Sequence, residues 1–375
     1  MKVLFTGGGT AGHINPALAV AGYLRKKEPD TEILYVGNRG GMEERLVAKA
    51  GYPMQTITIS GFQRRITPKN LMRNAQTVVR MFTASSEAHR IIKEFAPDVC
   101  VGTGGYVSGP VIREAARLHI PCVIHESNAY PGVTTRMLAK SVHAVMLAVP
   151  DAKNYFDHSV NCIVTGNPVR GEVLSAQREE SRKALGLDER PLVLSFGGSL
   201  GASALNRAAA WMLAQSAKKG EVQHIHGYGT HDEKFMDELR EFGFDQAASP
   251  QIRLLEYIDN MPQCLSAADL VIGRAGAMTL TEIEAKAKAS ILVPSPNVAE
   301  NHQFHNAMAL VRRGAAEIIE EKDLTGEALW AKVEEILADP QHLKSLGENA
   351  GKLEILDASE RIYRTIKAAC AAGKQ

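Results

Sequence analysis

The chain has 375 residues, enough for two domains of ordinary size, and is 45% hydrophobic and 23% charged, the balance of a folded globular protein. Its formal net charge of +1 gives no global field for nucleic acid, so any basic surface is local. Five cysteines stand mostly in apolar runs without a C-x-x-C pair, which fits buried, reduced thiols and excludes an obvious zinc site.

Met1-Lys-Val-Leu-Phe-Thr6 leads straight into glycines and lacks the apolar core of a signal peptide. No window approaches about 18 consecutive apolar residues, so no transmembrane helix is expected. The expectation is a cytoplasmic protein that is free to touch a membrane. The first strand, 3–6, ends in Thr6-Gly-Gly-Gly-Thr-Ala-Gly-His-Ile-Asn-Pro16. Glycines let a backbone bend sharply and approach a ligand. Asn15 is expected as the N-cap and Pro16 in the first turn of a helix over 16–27, whose N-terminus offers N–H groups to an anion. The loop matches neither the G-x-G-x-x-G fingerprint nor a P-loop. His13, between loop and helix, is a candidate general base or a turn-capping histidine.

A strand at 32–36 follows, then a segment with a different character. Residues 61–80 hold Arg64, Arg65, Lys69, Arg73 and Arg80, no acid, and apolar Phe62, Ile66, Leu71, Met72, Val78 and Val79. Such a segment reads as a surface for anionic lipid or as a solvated face of the helix expected over 69–94. The strand at 98–102 runs into Gly102-Thr-Gly-Gly-Tyr-Val-Ser-Gly-Pro110, with Ser108 expected to cap a helix over 110–118. The strand at 121–125 ends in His125-Glu-Ser-Asn128, where Glu126 is placed to support an imidazolium and Asn128 to bind hydroxyls. A helix over 134–140 and a strand over 143–147 complete this half.

The pattern restarts near residue 190, with strands at 192–196, 221–225, 252–255, 269–272 and 290–293 and helices between them. Val3-Leu-Phe-Thr-Gly-Gly-Gly and Val193-Leu-Ser-Phe-Gly-Gly-Ser echo each other, so two doubly wound halves are expected, linked near Thr165-Gly-Asn-Pro-Val-Arg170. Phe196-Gly-Gly-Ser-Leu-Gly-Ala202 and Gly273-Arg-Ala-Gly-Ala-Met-Thr279 are placed for a pyrophosphate at helix N-termini. Glu282, three residues after Thr279 and about one turn into its helix, is placed to accept ribose hydroxyls. Pro294-Ser-Pro-Asn-Val-Ala-Glu-Asn-His-Gln303 offers Asn297, His302 and Gln303 to sugar hydroxyls. The last helix, 358–371, has no strand after it and fits either half.

Together these motifs resemble the MurG family, the bacterial UDP-N-acetylglucosamine transferases of peptidoglycan synthesis. The carriers are Gly7-Gly-Gly-Thr-Ala-Gly-His13, Gly104-Gly-Tyr-Val-Ser-Gly-Pro110, His125-Glu-Ser-Asn128, Gly197-Gly-Ser-Leu-Gly-Ala202, Arg274-Ala-Gly-Ala277, and Pro294-Ser-Pro-Asn297 through His302-Gln303. Each is weak alone, but their order and spacing span nearly the whole chain. The resemblance implies an α/β GT-B glycosyltransferase, with two Rossmann-like domains facing a cleft. Residues 1–164, joined by a C-terminal helix at about 350–375, would take acceptor and membrane, and residues 165–349 the UDP-sugar.

It further implies transfer of N-acetylglucosamine, with inversion, from UDP-N-acetylglucosamine to the 4-hydroxyl of the muramoyl sugar of lipid I, an undecaprenyl-linked acceptor, giving lipid II. His13 is the implied base, with Glu126 in support. The implied donor contacts are Thr10, Gly12, Asn128, Arg170, Ser199, Tyr257, Ile258, Met261, Ala277, Met278, Thr279, Glu282, His302 and Gln303. Among them, Tyr257, Ile258 and Met261 fall at the uracil, and Glu282 at the ribose. Gly8, Gly9, Gly104, Gly105 and Tyr106 fall at the acceptor. Arg64, Arg65, Lys69, Leu71, Met72 and Arg73 fall at the cytoplasmic face of the cell membrane. The resemblance implies neither a metal nor another cofactor, and cell-wall synthesis proteins as partners.

The sequence departs from the family at Ala11, Ser127 and Thr135, and most at Ala285-Lys-Ala-Lys-Ala-Ser290, which replaces a helix-ending Gly-x-Pro turn. Two alternatives remain at this stage. One is a GT-B transferase with another lipid or small-molecule acceptor, and the other a non-catalytic UDP-sugar-binding protein.

Overall fold

The structure, a computed structural model, describes residues 1–60 and 83–373. Contacts divide the chain into two units, Met1–Pro168 with Ile355–Gln375, and Val169–Glu354.

The first unit runs β1 (Lys2–Thr6), α1 (Ala11–Lys27), β2 (Glu32–Asn38), α2 (Met42–Lys49), β3 (Met54–Ile57), α3 (described over 83–95), β4 (Val99–Gly102), α4 (Gly105–Arg117), β5 (Cys122–Glu126), α5 (Val133–Leu138), β6 (Ala144–Leu147) and β7 (Cys162–Val164). Its sheet is parallel in the order β3-β2-β1-β4-β5-β6-β7. Alternate strand residues fill opposite faces. Val3 and Phe5 pack with Ile14, Val20 and Leu24 of α1, while Leu4 packs with Val107, Val111 and Ile112 of α4.

The second unit continues with α6 (Gly171–Ser175), α7 (Arg178–Ala184), β8 (Leu192–Phe196), α8 (Ser203–Lys219), β9 (Gln223–Gly227), α9 (Phe235–Glu241), β10 (Ile252–Leu255), α10 (Met261–Ala267), β11 (Leu270–Gly273), α11 (Ala277–Ala285), β12 (Ala289–Leu292), α12 (His302–Val311), β13 (Glu317–Ile318), α13 (Gly326–Ala338) and α14 (Pro340–Gly351). The sheet order is β10-β9-β8-β11-β12-β13, again parallel. The last helix, α15 (Ala358–Ala372), returns to the first unit. There Ile362, Ile366 and Ala369 join the core beside α1, Tyr23 and Lys27 bind Glu360, and Tyr363 and Lys367 bind Glu28.

Several local expectations need correction. Helix α1 starts at Ala11, with Thr10 as its N-cap, so Asn15 caps nothing and Pro16 lies inside the helix. Pro16 lacks an N–H, so the Gly12 carbonyl loses its usual in-helix donor, a loss the helix absorbs near its start. Helix α4 likewise starts at Gly105, after Gly104 at φ 96°, and contains Pro110. Ser108 is therefore no cap, and its hydroxyl donates to the Gly105 carbonyl at 3.0 Å. The strand expected at 221–225 lies two residues later, at Gln223–Gly227. Short strands β3, β7 and β13 fall below what periodicity resolves. Of the helix expected over 69–94, only the part from 83 lies within the described residues.

His224 and His226 are fully buried on β9, paired with the hydroxyls of Ser216 at 2.7 Å and Ser195 at 2.8 Å. Burial lowers both to about 3. The unfolded chain takes up these protons near pH 6.5 and the folded chain does not, so between pH 3 and 6.5 the unfolded state binds more protons. Stability should therefore fall as pH drops through that window. Glu284 of α11, which burial raises to about 8, holds one proton in the folded state between pH 6.5 and 5 and offsets one imidazole. Denaturant melts of the second unit's transition approaching pH 5 should therefore show a net slope of about 1.4 kcal/mol per pH unit, the value for one proton. A stability that stays flat over that interval would show that these imidazoles accept protons in place.

Candidate active site

In a doubly wound sheet the crevice lies at the carboxyl ends of the strands where the order reverses. The reversal falls between β1 and β4 in the first unit and between β8 and β11 in the second. All four of these strands end in a glycine loop that leads to a helix, so the glycine motifs flank both switch points.

In the first unit the loops after β1 and β4 are packed backbone on backbone. The Gly8 N–H donates to the Gly104 carbonyl at 3.3 Å, and a Cβ on Gly105 would overlap the Gly8 carbonyl. His13, in the first turn of α1, lies against this junction. Its Nδ1 is 3.0 Å from the Thr103 carbonyl, and a Cβ on Gly104 would fall 2.8 Å from the same nitrogen. A carbonyl only accepts, so Nδ1 carries a proton, and in the neutral ring the lone pair is on Nε2. The Thr103 hydroxyl donates back to the His13 carbonyl at 2.6 Å.

Gly8 and Gly9 contribute shape rather than N–H groups. The Gly9 N–H donates to Glu43 at 2.8 Å, and Tyr35 donates to the Gly7 carbonyl at 2.7 Å. A Cβ on Gly9 would fall 2.7 Å from the Tyr106 ring. Thr10 and Gly12 sit at the start of α1, and Ala11 has no positive φ, so alanine is no strain there.

Glu126 corrects the expectation of an imidazolium partner. Its carboxylate is 3% exposed. Oε1 accepts from the Asn128 N–H at 3.0 Å and the Asn128 side chain at 3.1 Å. Oε2 accepts from the Gly132 N–H at 2.9 Å and the Thr135 hydroxyl at 2.8 Å. Four donors fill the acceptor sites of a carboxylate, so Glu126 folds the loop that presents Asn128. Thr135, a departure by sequence, supplies one of them. His125 is buried and bonds the Gly166 carbonyl at 2.9 Å, and burial lowers its basicity.

In the second unit the residues selected from sequence gather at the same end of the sheet. Ser199 lies in the turn after β8, where its carbonyl accepts from Thr230 at 3.2 Å. Ala277, Met278 and Thr279 are the first turn of α11. Glu282 is six residues past the N-cap Gly276, deeper in α11 than expected. Its Oε1 is held by Arg170, Nε at 2.9 Å and Nη2 at 2.8 Å. Burial raises Glu282, and Arg170 opposes that shift. Tyr257 is 54% exposed, whereas Ile258 is buried against Gly227, and Met261 opens α10.

His302 and Gln303 open α12, after Glu300 and Asn301 at φ 46° and 54°. The Gln303 side-chain oxygen Oε1 accepts from the Ser295 N–H at 2.8 Å, which orients its amide, while Asn297 is exposed. Arg274, from the Arg-Ala-Gly-Ala motif, braces the scaffold by binding Glu321 and the Val293 carbonyl. Sequence reading missed Tyr35 and Glu43. The signal for Glu43 was the glycine cluster at 37–41, where β2 ends. Arg64, Arg65, Lys69, Leu71, Met72 and Arg73 lie outside the described residues. Among the described residues no cluster of three or more His, Cys, Asp or Glu is placed to hold a metal, and no helix is long and apolar enough to cross a membrane.

Residues 3–147 match the glycosyltransferase family 28 N-terminal domain and 192–362 its C-terminal domain. The chain is 42% identical over 368 residues to a UDP-N-acetylglucosamine–N-acetylmuramyl-(pentapeptide) pyrophosphoryl-undecaprenol N-acetylglucosamine transferase of Acetivibrio thermocellus, covering 98% of each. Among solved structures it is similar to MurG of Acinetobacter baumannii, with 30% identity, a TM-score of 0.79 and coverage of 98% of this chain and 99% of the other. A calicheamicin glycosyltransferase at 16% identity and a TM-score of 0.68, covering 99% and 98%, shares the fold.

Removing the Glu126 carboxylate strands four donors. Glu126→Ala should cost several kcal/mol of stability, about 1–3 kcal/mol for each donor that stays buried and unpaired, and Glu126→Gln less, since one acceptor atom remains. Chemical melts of both variants check this. An alanine variant as stable as the parent would mean that the loop is held by other contacts.

Proposed function

We propose, on the premise that the chain belongs to the MurG family of glycosyltransferase family 28, a division of labour for its reaction. The protein is a glycosyltransferase that moves N-acetylglucosamine from its UDP donor to lipid I, giving lipid II for peptidoglycan. The first unit takes lipid I and the second takes UDP-N-acetylglucosamine. The observation that carries the catalytic reading is the imidazole of His13, held against the Thr103 carbonyl at the β1/β4 switch point.

Held in that tautomer, His13 Nε2 accepts the proton of the muramoyl 4-hydroxyl as that oxygen attacks the anomeric carbon. The C–O bond to UDP breaks on the opposite face, so configuration inverts and UDP leaves with the bonding pair. The first turns of α8 and α11, each 17 and 9 residues long, offset the charge on the leaving diphosphate, and the reading includes no metal. Glu282 accepts the ribose hydroxyls, and Tyr257, Ile258 and Met261 line the base. Asn128, His302 and Gln303 serve the transferred sugar. Since the Gly8 and Gly9 N–H groups are engaged, and the His13 N–H donates to the Thr10 carbonyl, the acceptor diphosphate relies on the N–H groups of Ala11 and Gly12 and those that open α4.

Transfer of labelled N-acetylglucosamine to a lipid I analogue should proceed in EDTA and discriminate against UDP-glucose. His13→Ala should lose about 100-fold or more in kcat while still binding UDP. Turnover by His13→Ala at the parent rate would remove the mechanism, and an absence of transfer with intact UDP binding would point to another acceptor.

The reading places the protein at the cytoplasmic face of the membrane through the basic, apolar segment 61–80. Support comes from α5, where Val133 is 51% and Met137 72% exposed beside Arg136 and Lys140. Binding to anionic vesicles should weaken with salt and with charge reversal at Arg64, Arg65 and Arg73. Sedimentation indifferent to both changes would rule out this attachment.

A further inference from the structure

Glu43 lies outside every motif that carries the family resemblance, yet the molecule is built around it. It is the second residue of α2, in a first turn that also contains Glu44. Glutamates there ordinarily sit in solvent and favour the helix dipole. Glu44 does so, accepting from the Gly40 N–H at 2.9 Å at an exposed position. Glu43 instead turns inward and is 0% exposed.

Three glycines clear its path. A Cβ on Gly8 or Gly41 would overlap the carboxylate, and one on Gly37 would fall 2.9 Å from the Glu43 Cβ. At the end of that channel Oε1 accepts the Gly9 N–H at 2.8 Å. Oε2 is buried with no hydrogen-bond partner among the described residues. Burying a half-satisfied carboxylate is unfavourable, and an apolar residue would fill the space better. What the carboxylate supplies is the acceptor for Gly9, a residue at φ 83° that is followed directly by Thr10, the N-cap of α1.

We infer that Glu43 is a positioning residue for the transfer reaction. By fixing Gly9 it sets the entry of α1, and with it the His13 ring and the first-turn N–H groups. This rests on the reading that the first unit binds the acceptor. Its effect is confined to that unit, because every contact that transmits it lies between residues 7 and 106.

The test compares Glu43→Gln, Glu43→Leu and Gly41→Ala in the full chain. Gly41 is at φ −82°, so alanine suits its backbone while its Cβ displaces the carboxylate. It perturbs the contact even if Glu43→Leu does not fold. Each variant is measured for KM of a lipid I analogue, KM of UDP-N-acetylglucosamine, UDP affinity by calorimetry, and hydrogen exchange over residues 4–12. Glu43→Gln keeps an oxygen for Gly9 and should stay within about threefold of the parent. Glu43→Leu and Gly41→Ala should raise acceptor KM about tenfold or more, speed exchange in the loop, raise donor KM by much less, through the donor contacts expected at Thr10 and Gly12, and leave UDP affinity unchanged.

Unchanged exchange and unchanged acceptor KM in both perturbed variants would overturn the inference. An equal rise in both KM values would do the same, by reporting general damage. Faster loop exchange with only the donor KM affected would uphold the positioning role and overturn the assignment of the acceptor to this unit.

Discussion

The first unit depends on one constraint, the gripping of three consecutive glycines by three different elements. Gly7 is held through its carbonyl by Tyr35 of β2, Gly8 through its N–H by the Gly104 carbonyl after β4, and Gly9 through its N–H by Glu43 of α2. Side chains at these positions would overlap Thr103, Glu43 and Tyr106 in turn. The loop is therefore a packed core of backbone rather than a flexible hinge. His13 gains its geometry from that packing. Its ring lies on Gly104 because a Cβ there is absent, and its tautomer is set by a main-chain carbonyl that cannot titrate. The same closeness explains why the loop offers so few N–H groups of its own, and why the proposed anion site is assigned to the helix starts.

The second unit solves the same problem with different parts. A Cβ on Gly201 would overlap the Tyr228 carbonyl, and one on Gly229 would overlap the Gly201 backbone, so the loops after β8 and β9 lock together as those after β1 and β4 do. Asn206 completes the lock by donating to the Tyr228 carbonyl at 2.7 Å and to Asp232 at 2.8 Å. The sheets and glycine loops of the two units echo each other, but the chemistry set on them differs. An imidazole follows the first loop of one unit, and a carboxylate with its arginine stands on the last helix flanking the switch point of the other.

How far the sequence revealed this follows from the range of the interactions. The alternation of apolar runs and helices, the glycine turns at strand ends and the polar residues after them are local patterns, so the two sheets and the residues at their edges were legible. Helix starts were not. Asn15-Pro16 and Ser108-Gly-Pro110 look like helix N-termini because capping rules are local, whereas α1 and α4 begin earlier, where the loops pack against each other. Glu43 and Tyr35 were missed for the same reason, since their partners lie 34 and 28 residues away. Glu126 was found, but its role was misread because its four donors come from backbone and side chains that only the folded loop assembles. Helix α11 still ends at Ala285 without a glycine there. Ala287 itself takes the left-handed conformation at φ 49°, where a glycine is favoured, and Lys288 turns inward to donate to the Ser266 and Ala268 carbonyls at 2.7 and 2.8 Å. Burial brings that amine down to about 7.

Helix α11 shows how partners decide what a buried carboxylate can do. Glu282 and Glu284 stand two residues apart, and burial raises both. Glu284 rises to about 8, opposed by the charge of Arg313 and reinforced by Glu354, so near neutral pH it is largely a protonated acid. Glu282 has two N–H groups of Arg170 on one oxygen, which stabilise its charged form. An ionised carboxylate is acceptor-only, as a pair of ribose hydroxyls requires, and a protonated one is not. Arg170 has a side chain that is 49% exposed, so it can return to water at little cost when a ligand replaces it. Arg170 thus opposes the burial that raises Glu282 and favours its charged form, the form that the proposed ribose contact needs.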